Sequence, residues 1–264
     1  MAPLAKERLR IPFERKNVLI AFFTAGVPDL ETTGELIKIA RNLGVDIIEL
    51  GVPFSEPVAD GPILQQACEI ALRNKVTLPV ILELVEDVTK QDPELDILLM
   101  GYAQPFFFYG IEEMAEKTLT SGARGWIVAD LPAEEAEIFY KPLDRRGGAL
   151  IPLVAPTTPK ERARMIADRF APPFLYYVSV TGVTGAPSAF ELGWEVPLRA
   201  IRQVTRIPIA IGFGIRTPEL ARHASQEAEG VVVGSAIMKP LVEKGREGIP
   251  EVVDLLSAIR SALP

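Results

Sequence analysis

The sequence predicts an α/β fold, one (β/α)8 TIM barrel spanning residues 1–264. Three observations carry this expectation. The chain is 264 residues long, close to the roughly 250 typical of one such barrel. Eight short runs rich in Val and Ile alternate along it with segments of helical periodicity. Those runs are continuously apolar, the pattern of parallel strands covered on both faces. An open doubly wound sheet is the competing arrangement. It usually has fewer strands and a glycine-rich first turn, whereas the first turn here, TAGVPD at 24–29, holds one glycine.

The elements follow in order. Residues 17–23 (NVLIAFF) read as the first strand and 30–43 as its helix, with Leu36, Ile37, Ala40 and Leu43 on one face and Gly44 as a stop. The second strand, 45–50, leads to a helix over 63–72, and a further helix starts at Thr77 and Pro79. The third strand is 95–102 and its helix 111–119. The fourth is 125–129, followed by DLP at 130–132. DLP reads as opening a helix with its Pro inside the first turn and Glu134 and Glu135 near the positive end of the dipole, and Pro142 should break that helix or end its first half. The fifth strand is 149–154, and TPKE at 158–161 reads as a capping box. The sixth, 174–178, enters a long glycine-containing loop from 179 to about 193, and a helix follows over 196–204. The seventh is 207–211, with Thr217 and Pro218 starting its helix, and the eighth is 230–233. A last helix holds Val252, Val253, Leu256 and Ile259.

Composition narrows the function. A net charge of −7 without a run of five like charges argues against nucleic acid. The N-terminal residues are too charged for a signal peptide, and no apolar run approaches a membrane span. Cys68 is the only cysteine and His223 the only histidine, so no internal disulfide and no two-His metal site can form. The expectation is a soluble cytoplasmic enzyme.

The chemistry concentrates in ELGVPFSEPVADGPILQQA at 49–67. Glu49 ends an apolar strand at the end where parallel barrels place their active sites, and Asp60 lies on the loop that follows. Glu49 should be partly desolvated and its pKa raised. Asp60, on a polar loop, should stay ionised. Two acids in unlike environments can divide proton donation and charge stabilisation between them. Asp60 equally fits a cap for the helix behind Gly61 and Pro62, and Glu49 an ion pair with a rim Lys or Arg. The turns after strands seven and eight, GFGI at 212–215 and GSAI at 234–237, fit a phosphate site of main-chain N–H groups. The loop after strand six, with Ser179, Thr181 and Thr184, fits a lid.

At these residues the chain resembles the α subunit of tryptophan synthase, from about 22 to 237. The shared motifs are FFTAGVPD at 22–29, ELGVPFSEPVADGP at 49–62, VADLP at 128–132, TGVTG at 181–185, IGFGI at 211–215 and VVGSAI at 232–237. The resemblance implies retro-aldol cleavage of indole-3-glycerol phosphate to indole and glyceraldehyde 3-phosphate. It implies no cofactor in this chain and a pyridoxal-phosphate β subunit as partner, in a heterotetramer of two α and two β chains. By it, Glu49 delivers the proton to the ring carbon and Asp60 holds the indole N–H. Tyr176 stands beside Glu49, and Thr184 and Gly185 belong to the lid. Gly214, Gly234 and Ser235 contact phosphate. Phe22, Leu64, Met100, Ile127, Ala129, Leu153 and Phe213 wall the indole. The chain departs from the common pattern at Val27, Glu56, Gln104 and Val180. Glu56 and Gln104 fall in loops that face the β subunit in this family. Two other readings remain at this stage: a barrel enzyme for another phosphorylated sugar or anthranilate-derived substrate, and a weakly catalytic barrel that mainly activates a partner.

Overall fold

The computed structural model describes residues 4–15, 17–178, 193–212 and 214–264. Within them the strands are β1 Val18–Thr24, β2 Ile47–Gly51, β3 Asp96–Gly101, β4 Gly125–Val128, β5 Ala149–Ile151, β6 Leu153–Val154, β7 Leu175–Val178, β8 Ile209–Gly212 and β9 Gly230–Val233. The order in the sheet is β5-β4-β3-β2-β1-β9-β8-β7-β6, and each neighbouring pair is parallel. The two strands at the ends of that order, β5 and β6, are consecutive in the chain and flank Pro152. They are one barrel strand split where proline has no N–H to give the ladder. The Pro152 carbonyl still accepts from the Tyr176 N–H at 3.1 Å. The expected strand at 149–154 is therefore present but broken, and the eight-fold barrel is nearly closed.

The helices are α1 Ala5–Arg8, α2 Ile11–Glu14, α3 Leu30–Asn42, α4 Pro62–Arg73, α5 Leu78–Gln91, α6 Ala103–Tyr109, α7 Ile111–Thr120, α8 Glu137–Asp144, α9 Lys160–Phe170, α10 Glu195–Arg202, α11 Pro218–Glu227, α12 Ser235–Lys244 and α13 Ile249–Ala262. Alternation along each strand divides two cores. One set, including Val18, Ile20, Ile47, Leu98, Ile127, Ile151 and Tyr176, fills the barrel. The other, including Leu19, Phe23, Ile48, Leu50, Leu99 and Trp126, packs under the helices. Leu9 and Phe13 plug the N-terminal end of the barrel, with Phe13 stacked on Phe174 at 4.9 Å. The other end is left for the loops.

Three local expectations are corrected. DLP at 130–132 does not open a helix: residues 133–136 form turns, and α8 begins only at Glu137, so Glu134 and Glu135 precede it. Thr158 does not cap α9. Its Oγ1 accepts from the Ala155 N–H behind it at 2.9 Å, and the cap position falls on Pro159. Pro142 does not break α8, which runs on to Asp144. The carbonyl that Pro142 leaves without a donor belongs to Ile138, which is exposed, so the loss falls on the solvent side.

Candidate active site

Strand β2, IIELG, is buried along its whole length. Its alternation sends Ile47, Glu49 and Gly51 toward the barrel axis. Glu49 lies in register with Phe22 on β1 and Leu98 on β3. Its side chain is 0% exposed, and neither carboxylate oxygen has a hydrogen-bond partner among the described residues. The ion pair that sequence left open is thus not made there. Burial alone pushes the Glu49 carboxyl up to about 8, further than the partial desolvation expected of a strand tip. A carboxyl with no ionic partner in an apolar interior keeps its proton, because the charged form has nothing to replace its water.

Asp60 closes a turn whose N–H donates to the Pro57 carbonyl at 3.0 Å. The cap position of α4 is Gly61, with Pro62 in the first turn, so Asp60 is free to turn inward. Its Oδ2 accepts from the Tyr102 hydroxyl at 3.1 Å, and that hydroxyl accepts from the Ala59 N–H at 3.0 Å. The Tyr102 ring packs on Phe54, with centroids 5.4 Å apart. The loop is less polar than its sequence suggests. Burial outweighs the Tyr102 hydrogen bond and raises Asp60 to about 6. At pH 7 these values favour the ionised form of Asp60 and the protonated form of Glu49.

Asp60 lines a pocket of about 340 Å³, a volume that includes open solvent at its mouth, whereas Glu49 is not among the lining residues and lies buried on β2 in register with Phe22, which is one of them. Five residues expected from sequence line it together: Phe22, Asp60, Leu64, Met100 and Ala129. The Phe22 ring lies over Gly51, where an added Cβ would come within 2.6 Å of Phe22 Cζ. That close approach is what glycine supplies at the end of β2. Ile127, Leu153 and Tyr176 sit in the barrel interior, with Met100 and Leu153 at its upper edge. Tyr176 is buried, and its phenol is pushed well up, first by burial and then by the nearby Glu49 and Asp60 charges.

Gly234 reaches the same wall, its Cβ direction pointing at Phe22 from 3.6 Å. It holds the cap position of α12, which Ser235 begins. The first N–H groups of any helix have no partner within it, so the start of α12 offers donors and partial positive charge to an anion. Gly214 adopts φ +86 in the bend after β8. Thr184, Gly185 and Phe213, with Val180 and the rest of 179–192, lie outside the described residues. Among the described residues no group of three or more His, Cys, Asp or Glu could hold a metal, and no helix is long and apolar enough to cross a membrane.

Tyr102, Thr24 and Cys68 also line the pocket and were not singled out as site residues. Tyr102 and Thr24 each lie two positions beyond a wall residue, Met100 and Phe22. Strand alternation extended one step could have found them. Cys68 is one helical turn after Leu64 on α4, and burial holds its thiol up at about 11, which suits packing rather than reactivity.

The tryptophan synthase alpha chain family model matches residues 10–261. The chain belongs to the tryptophan synthase alpha chain family. The tryptophan synthase alpha chain of Geobacter sulfurreducens is 42% identical over 268 residues, covering 100% of this chain and 99% of that one. That of Geotalea uraniireducens is 44% identical over 239 residues, covering 90% and 89%. The crystal structure of tryptophan synthase subunit alpha from Legionella pneumophila superposes with a TM-score of 0.89 at 33% identity, covering 99% of each chain. The alpha-chain barrel is thus shared over the full length, and Glu49, Asp60 and the α12 start sit at one end of it.

Proposed function

We propose that this member of the tryptophan synthase alpha chain family cleaves indole-3-glycerol phosphate through Glu49 and Asp60. The observation that carries the proposal is the unlike setting of these two acids: Glu49 is buried without a hydrogen-bond partner among the described residues, which pushes its carboxyl up to about 8, and Asp60 accepts from the Tyr102 hydroxyl and is raised less, to about 6. The apolar walls, Phe22, Leu64, Met100 and Ala129, take the indole ring, and the start of α12 takes the phosphate. Glu49 gives its proton to C3 of the ring. The positive charge that results spreads to the ring nitrogen, whose N–H donates to Asp60. Glu49, now a carboxylate, removes the proton from the hydroxyl on the attached glycerol carbon. The bond from that carbon to C3 breaks, its electron pair restores the aromatic ring, and an aldehyde forms. Glu49 ends with its proton back, so one residue serves as acid and then base. Water excluded by the apolar walls strengthens the Asp60 interaction as charge develops.

This sequence of steps calls on no metal or cofactor in the chain. Pyridoxal phosphate belongs, in this reading, to a β subunit. Val58 on the loop after β2, and Phe107 and Phe108 on α6, are exposed at 73%, 61% and 81%, on the two segments joined at Asp60 and Tyr102. We place the β subunit there, in a complex of two α and two β chains, within the cytoplasm. Glu56 and Gln104 are exposed on the same segments, so their departures touch partner fit rather than the acids. The protein alone should turn over slowly and be stimulated by the partner.

The pH dependence tests the assignment. Activity needs Asp60 ionised and Glu49 protonated. The expected profile of kcat/KM for indole release is a bell with limbs near 6 and near 8. A profile flat from pH 5 to 9 would show that these carboxyls do not carry the chemistry.

A further inference from the structure

We infer that Tyr102 is a positioning residue that fixes the Asp60 carboxylate toward the ring-nitrogen end of the pocket and holds it in its ionised form. The inference rests on the reading of Asp60 given above and adds to it the device that sets its geometry and charge.

Asp60 lies on a loop, not on a strand. A loop carboxylate has rotational freedom that the stabilisation of a developing charge cannot tolerate, since misplacement by about 1 Å can cost about 100-fold in rate. Tyr102 removes that freedom with one oxygen atom. As donor it holds Asp60 Oδ2 at 3.1 Å, and as acceptor it takes the Ala59 N–H at 3.0 Å. Both the side chain and the backbone of the 59–60 turn are therefore tied to the same point. That point is itself rigid. Tyr102 immediately follows β3, is 4% exposed, and has its ring against Phe54. It also occupies the cap position of α6, whose first residue, Ala103, donates its N–H to Asp130 Oδ1 at 2.7 Å. The tyrosine is thus fixed between a barrel strand and the loop after the next one.

The second effect is electrostatic. Among the described residues, the titratable groups around Asp60 are Tyr102 from the β3 end, Cys68 from α4 and Tyr176 from β7, with Glu49 beyond on β2. None of these is a cation, and the Tyr102 hydroxyl is the side-chain donor that lowers Asp60 against its burial. A hydrogen bond to the charged form favours that form, so removing this hydroxyl should let the Asp60 carboxyl rise.

The test is a double-mutant cycle on the full-length chain with Tyr102→Phe and Asp60→Asn, the phenylalanine keeping the ring contact to Phe54. Two readouts are taken. One is kcat/KM for indole-3-glycerol phosphate against pH. The other is the dissociation constant of indole-3-propanol phosphate, which keeps the heterocycle and phosphate but lacks the hydroxyls, so it can be measured without turnover. Tyr102→Phe alone should lower kcat/KM at pH 7 by about 10-fold, the scale of one hydrogen bond to a charged group, and move the acid limb to higher pH. On Asp60→Asn the same change should cost less than about 2-fold in either readout, because no charge remains to be held. Equal losses in both backgrounds, with the acid limb unmoved, would overturn the inference and leave Tyr102 a packing residue. So would a Tyr102→Phe protein indistinguishable from the parent. If Asp60→Asn itself keeps full turnover, the role of Asp60 fails first and this inference falls with it. If Asp60→Asn is crippled and Tyr102→Phe is not, only the positioning role is lost.

Discussion

Glu49→Gln lowers the rate of indole release by about 100- to 10,000-fold, the range that a positioned acid–base group contributes, while substrate binding persists. Glutamine keeps the shape and polarity of the side chain but can neither deliver a proton to C3 nor accept one from the glycerol hydroxyl. The loss should therefore appear in kcat, with KM little changed. The same substitution should alter stability in a direction that exposes the cost of the buried acid. In the folded chain the Glu49 carboxyl is raised from 4.5 to about 8, so the folded state binds the proton more tightly than the unfolded state does. Stability contributed by that proton is complete below the unfolded value and is lost as pH rises toward 8. By pH 7 the loss is on the order of 3 kcal/mol. The glutamine variant has no such slope. Its melting temperature relative to the parent should rise steadily from pH 5 to pH 8, even as activity disappears. Parallel melting curves for the two proteins across that range would show that Glu49 ionises freely and is not desolvated as described.

Asp60→Asn should lower kcat by about 100- to 1,000-fold, the scale found when one fixed group facing developing charge is removed. The amide carbonyl can still accept from the Tyr102 hydroxyl, so the 59–60 turn should hold its place and thermal stability should not fall. What disappears is the negative charge opposite the ring nitrogen when C3 is protonated. Because that charge matters more to the transition state than to the bound substrate, the affinity for indole-3-propanol phosphate should fall by a smaller factor than kcat. Steady-state kinetics beside equilibrium binding separates the two. A variant that binds poorly but turns over bound substrate at the parent rate would make Asp60 a binding residue only.

The barrel was legible because its strands are buried on both faces and so read as unbroken apolar runs, each placed within a few residues. What stayed hidden has specific causes. Pro152 sits in an apolar run that reads as one strand, yet it lacks the N–H that a continuous strand needs. Helix α6 was not visible because AQPFFFY carries a proline and an aromatic run without helical period, and it turns Phe107 and Phe108 outward. Thr158 looked like a cap because its spacing to Glu161 is right, but its hydroxyl found the Ala155 N–H first. At the site, position along β2 was enough to mark Glu49, since an acid at the end of an apolar strand has few ordinary reasons to be there. Asp60 was marked by its place in the loop, but not the depth of its burial, which depends on the Tyr102 side chain meeting it from the end of β3, 42 residues along the chain. No local pattern encodes such a meeting. The Glu49 pKa was expected to rise for the same reason that it does, but a single sequence could not show that no partner among the described residues reaches either oxygen.

The central claim is that Glu49 carries a proton at neutral pH, and carbon-13 NMR titration of a chain labelled at its glutamate carboxyls tests it most directly, with Glu49→Gln identifying the resonance. The expected result is one glutamate titrating near 8 and missing from the variant. A Glu49 resonance with its midpoint near the ordinary 4.5 would contradict the account, because such a group would already be ionised and have no proton to give the ring.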